Sequence, residues 1–208
     1  MAFDYVCDPA EIYRQSFATV EREAALDRLP EAMQPVATRL IHSCGMIDVI
    51  DDLAFSAGAA EVGRNALALG ATVYCDVEMV RSGIISRLMP ADNLLVCTLN
   101  DPGTPAHAKA IGNTRSAAAV DLWEPLDGSV CVIGNAPTAL FRLMERILEG
   151  AGLPALVIGI PVGFVGAVES KQALAEFSED LNFITVHGRR GGSAMASSVV
   201  NALAGGLG

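Results

Sequence analysis

Three histidines, His42, His107 and His187, carry the side chain whose ordinary pKa, about 6.5, suits proton transfer near neutral pH. In Arg39-Leu40-Ile41-His42 the spacing of three puts Arg39 and His42 on one helical face, pairing a proton donor with an anchor for an anion. A histidine that caps the carboxyl end of its helix is the structural alternative. His107 follows Pro105 and reads as a surface residue in a turn, whereas His187 ends a strand beside Arg189, where a ligand can touch it. The three have no metal-ligand spacing, and there is no H-E-x-x-H.

The other chemistry resides in arginine. Lys109 and Lys171 are the only lysines among 14 basic residues, so the basic set is dominated by the side chain suited to bidentate carboxylate recognition. Arg14, Arg39, Arg64, Arg115, Arg189 and Arg190 are the leading anchors, each weighed against a solvated surface charge. No G-x-S-x-G elbow occurs, and Cys44, two residues from His42, lacks a third orienting group and reads as packing. No phosphate-binding G-x-x-x-x-G-K-[ST] is present, and one Trp with three Tyr offers little for a flavin ring to stack on.

These residues need a scaffold. Asp8-Pro9 caps a helix over 9–28 with Tyr13, Phe17, Val20 and Ala24 on one face, and a second helix runs from Pro30 to Cys44, ended by Gly45. Five β-branched runs follow, Ala71–Cys75, Leu94–Leu99, Val130–Gly134, Ala155–Ile160 and Phe183–His187, separated by helical segments. Being apolar on both faces, they predict parallel strands covered on both sides: an α/β fold, a three-layer α/β/α sandwich with a flavodoxin-like five-stranded parallel sheet and N-terminal helices. Ligands of such sheets bind beyond the carboxyl ends of the strands. Three Gly-rich loops meet there, Asn135–Thr138, Pro161–Gly166 and Gly188–Ser193, each feeding a helix whose first N–H groups favour anions. A tight βα turn is the plain alternative for any one of them.

Composition narrows the function classes. With 51% hydrophobic and 18% charged residues over 208 positions, the chain is expected to form one globular domain, 1–208. The formal charge of −10 argues against nucleic acid or anionic membrane as partner, so an anionic ligand must meet a local basic patch. Five cysteines without a C-x-x-C pair suggest reduced thiols, and Met1 to Pro9 has no basic-then-apolar run, so a cytoplasmic location is expected. Ala151 to Val168 is uncharged but broken by Pro154, Pro161 and four glycines, and reads as a buried strand and a loop rather than a membrane span.

Five motifs in order, Arg39-Leu40-Ile41-His42-Ser43-Cys44-Gly45, Gly112-Asn113-Thr114-Arg115-Ser116-Ala117, Gly134-Asn135-Ala136-Pro137-Thr138-Ala139-Leu140, Pro161-Val162-Gly163-Phe164-Val165-Gly166-Ala167 through Glu169-Ser170-Lys171, and Gly191-Gly192-Ser193-Ala194-Met195, resemble those of the precorrin-8X methylmutases of cobalamin biosynthesis. The similarity spans nearly the whole chain. It implies a flavodoxin-like homodimeric isomerase that moves a methyl group from C-11 to C-12 of precorrin-8X to give hydrogenobyrinic acid, a macrocycle fringed with carboxylates. No cofactor is implied, because the methyl is already on the ring. By this likeness His42 is the catalytic acid that eases a 1,5-sigmatropic shift, and Ser16, Arg39 and Arg115, the last from a partner subunit, contact the substrate. Asn135, Thr138, Gly163, Arg189, Gly192 and Ser193 complete the expected binding set. Two positions depart from the family pattern: Ile84-Ile85-Ser86-Arg87, which leaves Arg87 as a shifted contact, and His187, where members often carry Arg. The rival functions are a non-catalytic corrinoid carrier and a flavodoxin-like nucleotide- or flavin-binding module.

Overall fold

A computed structural model describes residues 3–177 and 179–207. The Asp8 carboxylate accepts the Ala10 N–H at 2.9 Å and Pro9 opens the first turn, so helix α1 (Pro9–Glu23) begins where its cap dictates. It ends earlier than the spacing predicts, and the residue of that stretch becomes a 3₁₀ turn, Leu26–Arg28. Likewise the chain after Pro30 starts as a 3₁₀ turn, Glu31–Met33, before α2 (Gln34–Cys44). Gly45 terminates α2 at φ 70°, a left-handed geometry that glycine adopts without strain, and its N–H reaches the Ile41 carbonyl.

Beyond these lie β1 (Leu53–Phe55), α3 (Ala59–Ala68), β2 (Val73–Cys75), α4 (Glu78–Gly83), β3 (Leu95–Val96), α5 (Thr104–Ala110), α6 (Arg115–Val120), β4 (Val130–Ile133), α7 (Pro137–Leu148), β5 (Leu156–Gly159), α8 (Ala167–Ala175), β6 (Phe183–Val186) and α9 (Ser193–Gly205). The sheet order is β1-β6-β5-β4-β2-β3. Five of its strands are parallel in the order expected of a flavodoxin-like sheet, with the chain reversing direction across the sheet between β2 and β4. The sixth, β1, pairs antiparallel with β6, Ala54 opposite Thr185, and corrects the expected count of five. Its three half-buried residues are too few for a β-branched run to announce them.

Strand residues alternate between two cores. Val130, Val132, Leu156 and Ile158 face α2, α3 and α9, while Cys131, Ile133 and Val157 face α7 with Trp123 and Leu126. Helix α2 packs along α9, and α1 lies against α2 at the outside of that layer. Helix α1 is thus joined to the last helix through α2.

Candidate active site

Ser16 on α1 and His42 on α2 meet at 2.7 Å, Oγ to Nδ1. Tyr13 stacks on the imidazole, centroids 5.2 Å apart, and Phe17 meets it edge-on at the same distance. Two aromatic contacts and one hydrogen bond hold the ring while leaving it half-buried. Burial lowers its pKa from the ordinary value, and the like charge of Arg39 lowers it further. Arg39 is 6% exposed, lies over the Phe17 ring at 5.6 Å, and donates from Nε to the Gly206 carbonyl. That bond fixes the guanidinium and leaves its outer nitrogens for an anion.

A hollow of about 360 Å³ opens beside His42, walled by Tyr13, Arg39 and Ser43 from the N-terminal helices, Met79, Gly83 and Ile85 from the α4 region, and Ser193, Ala194, Ser197, Ser198 and Asn201 from α9. A second, about 410 Å³, shares Tyr13, Arg39 and Ile85 and adds Arg87 and Arg14, the latter paired with both oxygens of the Glu11 carboxylate at 2.7 and 2.5 Å. A third, about 520 Å³, lies on the other side of His42 and includes Ser16. The site thus combines a proton-transfer group with concentrated positive charge in an acidic protein, a pattern that selects an anionic small molecule.

Of the residues expected from sequence, His42, Arg39 and Ser193 share the hollow and Ser16 joins them through the imidazole. The others lie outside it, in groups of their own. Thr138 Oγ1 contacts Thr114 Oγ1 at 2.8 Å, tying the start of α7 to the residue that caps α6, next to Arg115. Arg115 is exposed and donates to the Leu99 carbonyl and Asn100 Oδ1, both at 3.1 Å. The Gly163 N–H donates to the Arg189 carbonyl at 3.3 Å, and the Arg189 guanidinium lies over the exposed Phe164 ring at 5.2 Å. The Gly192 N–H donates to the Ile160 carbonyl at 2.9 Å, setting Ser193 at the first turn of α9.

The loop amides are less free than the glycine pattern suggests. Those of Gly134, Asn135 and Ala136 already bind the buried Asp76 carboxylate at 3.0, 2.9 and 2.9 Å. His107 also departs from expectation: it lies on α5 rather than in a turn, and its Nε2 pairs with Asp121 at 2.6 Å, away from the hollow. His187 offers its backbone N–H to the Asp52 carbonyl, and its side chain is not part of the hollow. Arg64 and Arg190 serve structure, the first binding the Ala32 carbonyl and the second Asp48 and Asp52. Among the described residues no three His, Cys, Asp or Glu side chains gather to hold a metal, and no helix is long and apolar enough to cross a membrane.

Sequence reasoning missed Ser197, Ser198 and Asn201. Their signal is a polar stripe, Ser197, Ser198 and Asn201, at spacings of three and four on a helix otherwise rich in apolar residues. Asn201 fastens the wall opposite: it accepts the Ile85 N–H at 2.8 Å and donates to the Gly83 carbonyl at 3.0 Å. Gly83 must be glycine for that approach, since a Cβ there would lie 2.4 Å from Ser197 Oγ.

A flavodoxin-like sheet with α1, α2 and α9 packed beside it, and with an imidazole and arginines lining the hollows between those helices, defines an α/β enzyme built for an anionic small molecule. The sequence profile of the family described as precorrin-8X methylmutase matches residues 11–205, and the chain belongs to that family. The precorrin-8X methylmutase of Pseudomonas aeruginosa is 55% identical over 202 residues, 97% of each chain. The cobalt-precorrin-8 methylmutase of Salmonella typhimurium is 39% identical over 207 residues, 96% of each. Among solved structures, a precorrin-8X methylmutase from Thermus thermophilus superimposes with a TM-score of 0.85 at 38% identity, covering 93% of this chain and 94% of that one.

Proposed function

We propose that this protein is an isomerase that converts precorrin-8X to hydrogenobyrinic acid by moving a methyl group from C-11 to C-12 of the macrocycle. The observation that carries the reading is the His42 imidazole, oriented by Ser16 and open to a hollow that also receives Arg39, on a chain of the methylmutase family.

The chemistry follows from what this arrangement supplies. The substrate's peripheral carboxylates are met by Arg39, with Arg14 and Arg87 beside it, and by Arg115 of the partner subunit in a homodimer. Ser193 hydrogen-bonds the ligand within the hollow, while Asn135, Thr138, Gly163, Arg189 and Gly192, outside it, meet the rest of the macrocycle. A 1,5-sigmatropic methyl shift is eased when electron density is drawn from the migration origin. His42 does this by delivering a proton to the conjugated ring. In the free protein burial and Arg39 favour the neutral imidazole, whereas bound carboxylates favour the imidazolium, so substrate binding itself charges the acid. No atoms are gained or lost, and the proton returns to His42 as the product forms.

Metal-free precorrin-8X is the proposed substrate, in line with the relative of 55% identity. Anaerobic incubation of the purified protein with precorrin-8X should change the absorption spectrum of the pigment while its mass stays constant. Pigment recovered after denaturation with its original spectrum would mean a carrier and would overturn the isomerase reading.

A further inference from the structure

Asp76 follows β2 directly and is 1% exposed, yet no cation pairs with it among the described residues. Its Oδ1 accepts the Gly134 N–H and its Oδ2 accepts those of Asn135 and Ala136, three successive amides of the loop between β4 and α7. Its own backbone N–H bonds the Val132 carbonyl at 3.1 Å. A carboxylate so placed is an internal anion seated in the cradle that a Gly-rich loop before a helix would otherwise offer to a ligand. The pairing joins two pieces of chain that the sequence separates by 58 residues. One carries Asn135 and Thr138. The other, three and seven residues beyond Asp76, carries Met79 and Gly83 in the wall of the His42 hollow.

We propose that Asp76 is a positioning residue for substrate binding: by filling the amide cradle it sets the loop bearing Asn135 and Thr138 against the α4 wall, and it leaves ligand carboxylates to the arginines. Burial raises the pKa of its carboxyl and the three amides oppose that rise. The geometry assigns Asp76 no contact with substrate, and its hydrogen bonds go to β4 and the loop before α7 rather than to α1 and α2, which carry the His42–Ser16 pair. Loss of the cradle contact therefore weakens binding and spares the chemical step. The inference rests on the methylmutase reading.

The test is steady-state kinetics of Asp76→Asn with precorrin-8X, with thermal melts and with the unaltered protein beside it. An amide presents one acceptor oxygen, so at least one of the three bonds fails. KM should rise by about tenfold, with kcat within about threefold of the unaltered value. A merely structural role predicts the reverse, a smaller active fraction that lowers apparent kcat at constant KM. Unchanged KM in a folded Asp76→Asn protein would overturn the proposal. If that variant does not fold, Asn135→Ala decides, since it leaves the backbone cradle intact: a raised KM supports the loop as a substrate contact, and an unchanged KM removes the reason for holding it. Absence of turnover in the unaltered protein would instead sink the methylmutase reading, so the two failures are distinguishable.

Discussion

Ser16 Oγ stands 2.7 Å from His42 Nδ1 and joins α1 to α2 across 26 residues. When the ring is protonated both nitrogens carry hydrogen, so Nδ1–H donates to the hydroxyl and Nε2–H is left for the ligand. Ser16→Ala should therefore slow turnover by roughly tenfold through loss of ring orientation, with substrate affinity nearly unchanged. Single-turnover rates set against binding titrations check this split.

His42→Ala removes the acid itself. The variant should still bind the corrinoid through its arginines but rearrange it about 10²–10⁴-fold more slowly. Conversion at the unaltered rate by a folded His42→Ala protein would exclude the imidazole as the proton source.

The pH profile carries a definite sign. A general acid acts when protonated, and His42 in the free protein is held below the ordinary imidazole value by burial and by Arg39. Accordingly kcat/KM should fall as pH rises, with its midpoint below about 6.5. Profiles of kcat should break at higher pH, because substrate carboxylates favour the imidazolium. Arg39→Met, which removes the like charge, should move the kcat/KM midpoint upward.

Arg39 also anchors the ligand. Charge-assisted contacts contribute about 1.5–3 kcal/mol, so Arg39→Ala should raise the dissociation constant by roughly one to two orders of magnitude and reduce its salt dependence. Affinity in Arg39→Ala equal to that of the unaltered protein, at low and at high salt alike, would remove it from the site.

The proposal that a homodimer shares its site between subunits predicts complementation. Arg115→Ala and His42→Ala proteins, each weak alone, should regain activity when mixed and reassembled, because one heterodimer site then holds both side chains. Sedimentation analysis of the same mixture tests the dimer, and a monomer with full activity would overturn the shared site.

Lys171 offers a stability measurement separate from the chemistry. Its side chain is fully buried, its Nζ donates to the Arg190 carbonyl at 2.7 Å, and burial lowers its pKa to about 8. The unfolded chain binds the extra proton between about pH 8 and 10.4, so this group's cost to folding is fully present below pH 8 and lifts as pH rises through that window. The difference in Tm between the unaltered protein and Lys171→Met should therefore grow in favour of the unaltered protein from pH 8 to 10. A difference independent of pH would mean that Lys171 stays charged when buried.

Local chemistry was legible in the amino-acid sequence. The Asp8-Pro9 start of α1, the Gly45 stop of α2, the five parallel strands and the pairing of Arg39 with His42 each depend on residues within a few positions of one another, where capping, φ preference and periodicity act. The motifs around His42 and the Gly-rich loops likewise pointed to the family. Tertiary structure decided the rest, since contacts across tens of residues leave no periodic trace. Ser16 reaches His42 only because α1 lies on α2, and Asn201 closes the hollow only because α9 packs against α2 and α4. β1 is a strand because β6 offers an edge to it, and Asp76 occupies amides that the glycine pattern alone leaves open to a ligand. A sequence states which groups can bond; burial and distance decide which partner each one finds first.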